Sequence, residues 1–238
     1  MLKAVLFDMD GVLFDSMKNH AYAWSRSMGQ LGLPMSEEDV YMNEGRTGSD
    51  TINTLTLRHW NREVTDEECR RIYKAKSDLF DTLPEPGPMP GALELLNRVK
   101  ACGLMRVIVT GSGQETLLDR LNAAFPDIFS RELMVTAFDV KHGKPHPEPY
   151  LMGLQKAGVA ADEAIVVENA PLGVQAARSA GIFTLAVNTG PLRDEVLRNA
   201  GAALVLPSVQ ALADEWDSLY ARWKEDFRLE ELPSLQEG

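Results

Sequence analysis

Short apolar runs alternate along most of the chain with stretches whose apolar positions recur every three or four residues. This is the pattern of strands and amphipathic helices wound around a parallel sheet. The strand candidates are Ala4 to Phe7, Arg106 to Thr110, Leu133 to Thr136, Ile165 to Val167, Thr184 to Val187 and Ala203 to Leu206. Helical patterns fit between them at Gly91 to Ala101, Gln114 to Ala124, Glu148 to Ala157, Leu172 to Ala180 and Leu192 to Asn199, with Gly103, Gly181 and Gly201 standing past helix ends as stop signals.

The interval between the first and second strand candidates breaks this rhythm. Over about a hundred residues its pattern is helical, with no convincing strand. Ser16 is placed to cap a helix running towards Gly32, and Thr65-Asp66-Glu67-Glu68 reads as a capping box opening a helix towards Phe80. Pro84-Glu85-Pro86-Gly87-Pro88 is turn-rich and closes the interval. The expected organisation is an α/β core from residues 1–16 and 84–223, a helical cap over 17–83 able to open and close above the sheet edge, and an acidic tail over 224–238 expected to be disordered.

Composition narrows the class. A chain of 238 residues lies near the upper end of what one hydrophobic core holds, and 45% hydrophobic with 25% charged residues is ordinary for a globular protein. No apolar run approaches a membrane span, and the strand pattern at Lys3 to Phe7 has none of the zones of a signal peptide, so a cytoplasmic protein without a membrane partner is expected. Cys69 and Cys102 sit on separate helical patterns without metal-ligand spacing and read as ordinary thiols. A formal charge of -11 argues against nucleic acid, whose binding depends on clustered cations, but leaves room for a small phosphate held by local charges.

In an open parallel sheet, ligands bind outside the C-terminal ends of the strands, so polar residues following apolar runs carry the chemistry. Such residues are Asp8-Met9-Asp10-Gly11, Thr110-Gly111-Ser112-Gly113, Lys144-Pro145 and Glu168-Asn169. Asp8 and Asp10, two apart in an extended segment, project to one side and invite a hard divalent cation such as Mg2+, which binds oxygen ligands and bridges to phosphate. With charge withdrawn by a metal and a lysine, an aspartate can attack phosphorus. Thr110 and the following backbone N–H groups are candidates for holding phosphoryl oxygens, Lys144 for neutralising transition-state charge, and Asp10 for carrying the proton. Met9 reads as hydrophobic filling, and Trp216 with Trp223 as the buried stripe of the last helix.

Four segments resemble the haloacid dehalogenase superfamily, in particular its β-phosphoglucomutase-like subgroup with a helical cap. They are Phe7-Asp8-Met9-Asp10-Gly11-Val12-Leu13-Phe14-Asp15-Ser16, Val109-Thr110-Gly111-Ser112, Gly143-Lys144-Pro145-His146-Pro147-Glu148 and Val167-Glu168-Asn169-Ala170-Pro171-Leu172-Gly173. The resemblance implies a Rossmann-like parallel-sheet core with an inserted α-helical cap. It further implies Asp8 as nucleophile, Asp10 as general acid and base, and Thr110 and Lys144 as phosphate binders. The implied Mg2+ site takes Asp8, the backbone carbonyl of Asp10, and Glu168 or Asn169.

This chain departs from the mutases in two places. Glu168-Asn169-Ala170 replaces their usual Glu-Asp-Ser, and Asn43-Glu44-Gly45-Arg46-Thr47-Gly48 stands where they carry a specificity loop. Glu44 is expected either to reach the metal when the cap shuts or to be a solvated loop acid. Together these segments also resemble an inorganic pyrophosphatase branch. Gly111, Ser112, His20, Arg46, Thr47 and Lys76 are the expected substrate contacts; His20 is otherwise a packed or solvated cap residue, Lys76 part of a charged helix face, and Trp24 a cap-core residue. The expected activity is Mg2+-dependent phosphohydrolysis of pyrophosphate through an aspartyl-phosphate, with a β-phosphoglucomutase or hexose-phosphate phosphatase as the alternative and a non-catalytic phospho-accepting switch behind both. The expected partner is a small phosphorylated compound or pyrophosphate, and the expected assembly a monomer or weak homo-oligomer.

Overall fold

The computed structural model describes residues 1–113 and 117–225. Among them, β1 (Ala4–Phe7), β2 (Met105–Val109), β3 (Met134–Val135), β4 (Ala164–Glu168), β5 (Phe183–Val187) and β6 (Leu204–Leu206) form one sheet in the order β3-β2-β1-β4-β5-β6, all neighbours parallel. The order reverses between β1 and β4, which opens a crevice at their C-terminal ends, the place where doubly wound sheets bind ligands.

Both faces of the sheet are covered, so the central strands β1 and β4 are apolar up to Glu168 at the end of β4. Val5 and Phe7 of β1, with Ile165 and Val167 of β4, enter one hydrophobic cluster with α5 (Ala92–Ala101), α6 (Leu117–Ala124) and α10 (Val209–Glu225). The alternate residues Ala4, Leu6, Ala164 and Val166 pack on the other face with α7 (Glu148–Ala157) and α8 (Pro171–Ser179). The Val, Leu, Ile and Phe side chains among these, fully withdrawn from water, each stabilise the fold by roughly 1.5–3 kcal/mol. Trp216 is fully buried and meets Trp223 edge-on at 5.8 Å, as the stripe of the last helix requires.

Between β1 and β2 the described residues hold α1 (Met17–Gln30), α2 (Glu37–Met42), α3 (Gly48–Trp60) and α4 (Asp66–Asp81) ahead of α5. These helices build their own cluster around Met17, Trp24, Met28, Leu33, Tyr41, Ile52, Leu55 and Ile72. The chain leaves and re-enters the sheet side by side: Asp15 N donates to Gly87 O at 3.0 Å and Met89 N to Leu13 O at 2.8 Å.

Local expectations were met at Thr65, whose hydroxyl accepts from Glu68 N while the Glu68 carboxylate accepts from Thr65 N. They failed at Ser16. Its side chain makes no cap bond; it donates instead to Asp10 Oδ1 at 2.5 Å, a nearby charge outcompeting orphan amides. The helix expected from Leu192 begins at Asp194 as α9 (Asp194–Ala200), because Asn188 Nδ2 binds Leu192 O and Asp194 Oδ1 and keeps the intervening segment as a loop. Leu133 lies in a 3-10 turn, Arg131–Leu133, ahead of the two-residue β3. α10 runs through Glu225, beyond the expected start of the tail; of that expectation, residues 226–238 lie outside the described residues, as do Gln114 to Thr116 of the helix expected to open at Gln114.

Candidate active site

β1 ends at Phe7, and Asp8 N continues the ladder by donating to Val167 O at 3.0 Å, so Asp8 is fixed at the mouth of the crevice before the chain turns. The turn runs through Gly11 at φ +85°; a Cβ there would lie 2.1 Å from Asn169 Nδ2, so both backbone angle and space demand glycine. Asp8 is buried, and Lys144 Nζ donates to its Oδ1 at 2.5 Å. The same ammonium donates to Glu168 Oε1 at 2.7 Å and Val109 O at 3.1 Å, which uses all its hydrogens.

Glu168 decides how this lysine stands. It is fully buried: Oε1 also accepts from Tyr150 OH at 2.8 Å, and Oε2 accepts the backbone N–H groups of Asn169 at 2.9 Å and Ala170 at 3.0 Å, at the start of α8. A helix N-terminus with bare amides favours an anion. Gly173 lets α8 pass this close, since a Cβ there would meet Glu168 Oε1 at 1.7 Å.

The sequence left Glu168 and Asn169 open as metal ligands. In the structure Glu168 has its acceptor capacity filled, whereas Asn169 Oδ1 and Asp8 Oδ2 are buried with no hydrogen-bond partner among the described residues. Such orphaned oxygens suit a hard cation. Among the described residues no group of three or more His, Cys, Asp or Glu side chains is by itself placed to hold a metal ion.

The cap supplies a further carboxylate. Glu44 Oε2 and Oε1 lie 3.2 and 3.3 Å from Asn169 Nδ2. The solvated-loop reading of Glu44 is thereby corrected: it reaches over the crevice, and burial first, then Asp8, Glu168 and Asp10, push its carboxyl well above the usual range. Burial pushes Asp8 up to about 8 against the pull of Lys144, while burial would lower Lys144 but Asp8 and Glu168 hold it well above the ordinary lysine range. A pocket of acids reluctant to ionise together is what a divalent cation relieves.

Asp10 is held differently. Ser16 donates to its Oδ1, His20 Nε2 stands 3.3 Å from the same oxygen, and Lys76 Nζ lies 2.9 Å from His20 Nδ1. Burial would raise the Asp10 carboxyl, but His20, Ser16 and Arg120 outweigh it and hold it below its ordinary value. Burial first, then Lys76, lower His20, so the coherent arrangement is a neutral ring accepting from Lys76 at Nδ1 and donating from Nε2 to Asp10. Lys76 is not on a charged helix face as expected. It is 5% exposed and its ammonium stands 5.0 Å from the Phe80 ring centre and 5.3 Å from that of Trp24.

These groups surround a cavity of about 80 Å³ lined by Asp8, Asp10, His20, Trp24, Glu44, Arg46, Tyr73, Lys76, Thr110, Gly111 and Ser112, among others. Thr110 Oγ1 accepts from Ser112 N at 3.1 Å, which turns the strand end into a small cradle. Thr47 belongs elsewhere. It is the N-cap of α3, its hydroxyl accepting from Asp50 N and donating to Asp50 Oδ2 at 2.7 Å, and it is not in the cavity wall. Sequence reasoning missed Tyr150, a helix residue with no local signal, and read Ser16 only as a cap.

A parallel sheet whose switch-point crevice presents a buried aspartate–lysine pair under a helical cap is the architecture of a capped, doubly wound α/β protein. The chain belongs to the haloacid dehalogenase-like hydrolase family, whose description matches residues 5–187. Hexitol phosphatase A of Escherichia coli is 33% identical over 180 residues, covering 75% of this chain and 80% of the relative. The phosphorylated carbohydrates phosphatase of Thermotoga maritima is 31% identical over 181 residues, covering 76% and 82%. The solved structure of a putative beta-phosphoglucomutase from Bacteroides vulgatus is 56% identical with a TM-score of 0.90, covering 92% of this chain and 89% of that one. The chain is a phosphatase-type member of this family with β-phosphoglucomutase-like architecture. No helix among the described residues is long and apolar enough to cross a membrane.

Proposed function

We propose that this protein is a Mg2+-dependent phosphohydrolase acting on small phosphorylated carbohydrates, with residues 17–83 as its cap. The observation that carries the reading is Asp8: one oxygen is held by Lys144, the other is bare, and its cavity also holds Asp10.

Asp8 Oδ2, the Asp10 backbone carbonyl and Asn169 Oδ1 would hold the cation, with Glu44 closing over it. When bound, the cation neutralises phosphoryl oxygens and fixes their orientation. Lys144 orients the Asp8 carboxylate and balances charge that builds on phosphorus during attack, and its lock to Glu168 means that no reorganisation is needed at that moment. Asp8 then bonds to phosphorus as the bond from phosphorus to the leaving oxygen breaks, and Asp10, ionised in the free protein but protonated beside the bound phosphoryl group in this reading, gives that oxygen a proton. In the second step Asp10 takes a proton from water, which attacks the aspartyl-phosphate and frees phosphate. Thr110 and the amides after it cradle the non-transferring oxygens. Arg46 and Lys76, in the cap wall, suit the remote end of the substrate.

The names of the relatives favour sugar and polyol phosphates. Pyrophosphate is a second reading favoured by one observation: Glu44 already reaches Asn169, and a carboxylate there narrows the room for an organic leaving group. Phosphate release is to be measured with Mg2+ on hexitol phosphates, hexose phosphates, β-glucose 1-phosphate and pyrophosphate, alongside conversion of glucose 1-phosphate to glucose 6-phosphate for the mutase alternative. Asp8→Asn is expected to abolish turnover of whichever compound is used; an Asp8→Asn protein as active as its parent would end the proposal.

A further inference from the structure

We propose that the loop between β5 and α9, Asn188 to Leu192, is the seat on which the cap closes, and that Thr189 ties this seat to the catalytic turn. The cap meets the core on two sides. On one, Glu44 stands above Asn169, Gly45 and Arg46 lie against Lys144 and Gly111, and Thr47 lies against Gly143. On the other is Tyr41 of α2, whose ring is buried against Gly190: a Cβ added at Gly190 would stand 2.9 Å from ring atoms Cδ1 and Cε1, closer than real Cβ contacts. Leu192 of the same loop packs against the cap cluster that contains Val40 and Tyr41.

The loop is built to keep its shape. Asn188 N donates to Leu206 O at 2.8 Å, and Asn188 Nδ2 donates to Leu192 O at 2.8 Å and Asp194 Oδ1 at 2.6 Å. Thr189 Oγ1 donates to Gly11 O at 2.7 Å. Gly11 directly follows Asp10 and lies against Asn169, so a shift of the seat is passed to the turn that carries the proton-transfer acid. On the cap side, α2 ends at Met42, and Asn43 and Glu44 follow immediately. A ring resting on Gly190 therefore holds α2 in place from behind, while Gly45 and Arg46 against Lys144 and Gly111 hold the chain directly after Glu44, and the two contacts together set how far Glu44 reaches. Thr189 and Gly190 are positioning residues: neither lines the cavity.

For its kinetic readout the proposal rests on the phosphohydrolase reading; for its structural readout it does not. The tests use the full chain in Mg2+ buffer, with amide hydrogen exchange of the peptide spanning Asn43 to Gly48 and hydrolysis of p-nitrophenyl phosphate as probes. Gly190→Ala is expected to raise exchange in that peptide and lower kcat/KM, each by about tenfold, in the range of couplings between contacting residues. In a Tyr41→Ala background, where the ring is already gone, adding Gly190→Ala is expected to change either quantity by less than about twofold. Thr189→Val, which keeps the volume but cannot donate, should lower kcat with KM little changed, while Thr189→Ser restores it.

Exchange in Gly190→Ala equal to that of the parent, or an equal Gly190→Ala effect in both backgrounds, overturns the seat. Thr189→Val with the parent's kcat overturns the tie to Gly11. A parent protein that hydrolyses no phosphate compound while the exchange cycle couples as expected would remove the phosphohydrolase reading and leave the seat standing.

Discussion

Replacing Glu168 by Gln isolates the charge at the centre of the site. The side chains have the same shape, so no cavity forms, yet the environment is built for an anion: Lys144 and Tyr150 OH donate to one oxygen, and the amides of Asn169 and Ala170 to the other. Gln must turn its NH2 group towards one of these pairs, setting donor against donor. At the same time Lys144, 1% exposed, keeps only Asp8 as a counter-charge. Breaking a buried ion pair by neutralising one partner costs about 3–5 kcal/mol, since a charge is left uncompensated out of water. Against a total stability of roughly 5–15 kcal/mol this leaves the protein folded but weakened. With a denaturant slope of about 2.5 kcal/mol per molar urea, the unfolding midpoint should fall by roughly 1–2 M. Equilibrium urea unfolding followed by tryptophan fluorescence measures it, because Trp216 and Trp223 are packed in the core. A loss below about 1 kcal/mol, the range of surface pairs, would show that Glu168 does not carry the charge that holds Lys144.

Lys76 gives a pH signature. Burial lowers its ammonium from 10.5 to about 8, so between those values the unfolded chain binds more protons than the folded one and stability rises with pH. The penalty of the buried charge is fully present below about pH 8 and is relieved towards pH 10.5; Lys76→Met should lack that rise, a difference of up to ~3 kcal/mol in the free energy of urea unfolding between pH 7 and above pH 10. Glu44→Gln is expected to raise the stability of the metal-free protein, by removing a carboxylate from beside Asp8 and Asp10, and to weaken Mg2+ binding by about 10- to 100-fold in calorimetric titration; unchanged Mg2+ affinity would detach Glu44 from the metal. Asp10→Asn should slow hydrolysis of sugar phosphates by roughly 10²- to 10⁴-fold and pyrophosphate less, because an alcohol needs its proton to leave and phosphate does not. Equal losses on both substrates would take the leaving-group proton away from Asp10.

The sequence read by itself determined the sheet, the helical insertion and the carboxylate, threonine and lysine of the crevice. Those features are written locally: apolar runs of strand length, a capping box at Thr65, and polar residues directly after strands all act within a few positions of one another. It could not separate Glu168 from Asn169, because adjacent residues on one strand end look alike until the amides of α8 fill one carboxylate and leave the other residue's oxygen bare. It read Ser16 as a cap and Thr47 as a substrate contact, whereas Ser16 donates to Asp10 and Thr47 caps α3, since a hydroxyl before a helix is ambiguous until its nearest acceptor is known. Tyr150 behind Glu168, Lys76 among aromatic rings and Tyr41 on Gly190 were decided only by tertiary structure. Each joins residues far apart along the chain, where burial and charge depend on which neighbours the fold brings in, and no local periodicity encodes that.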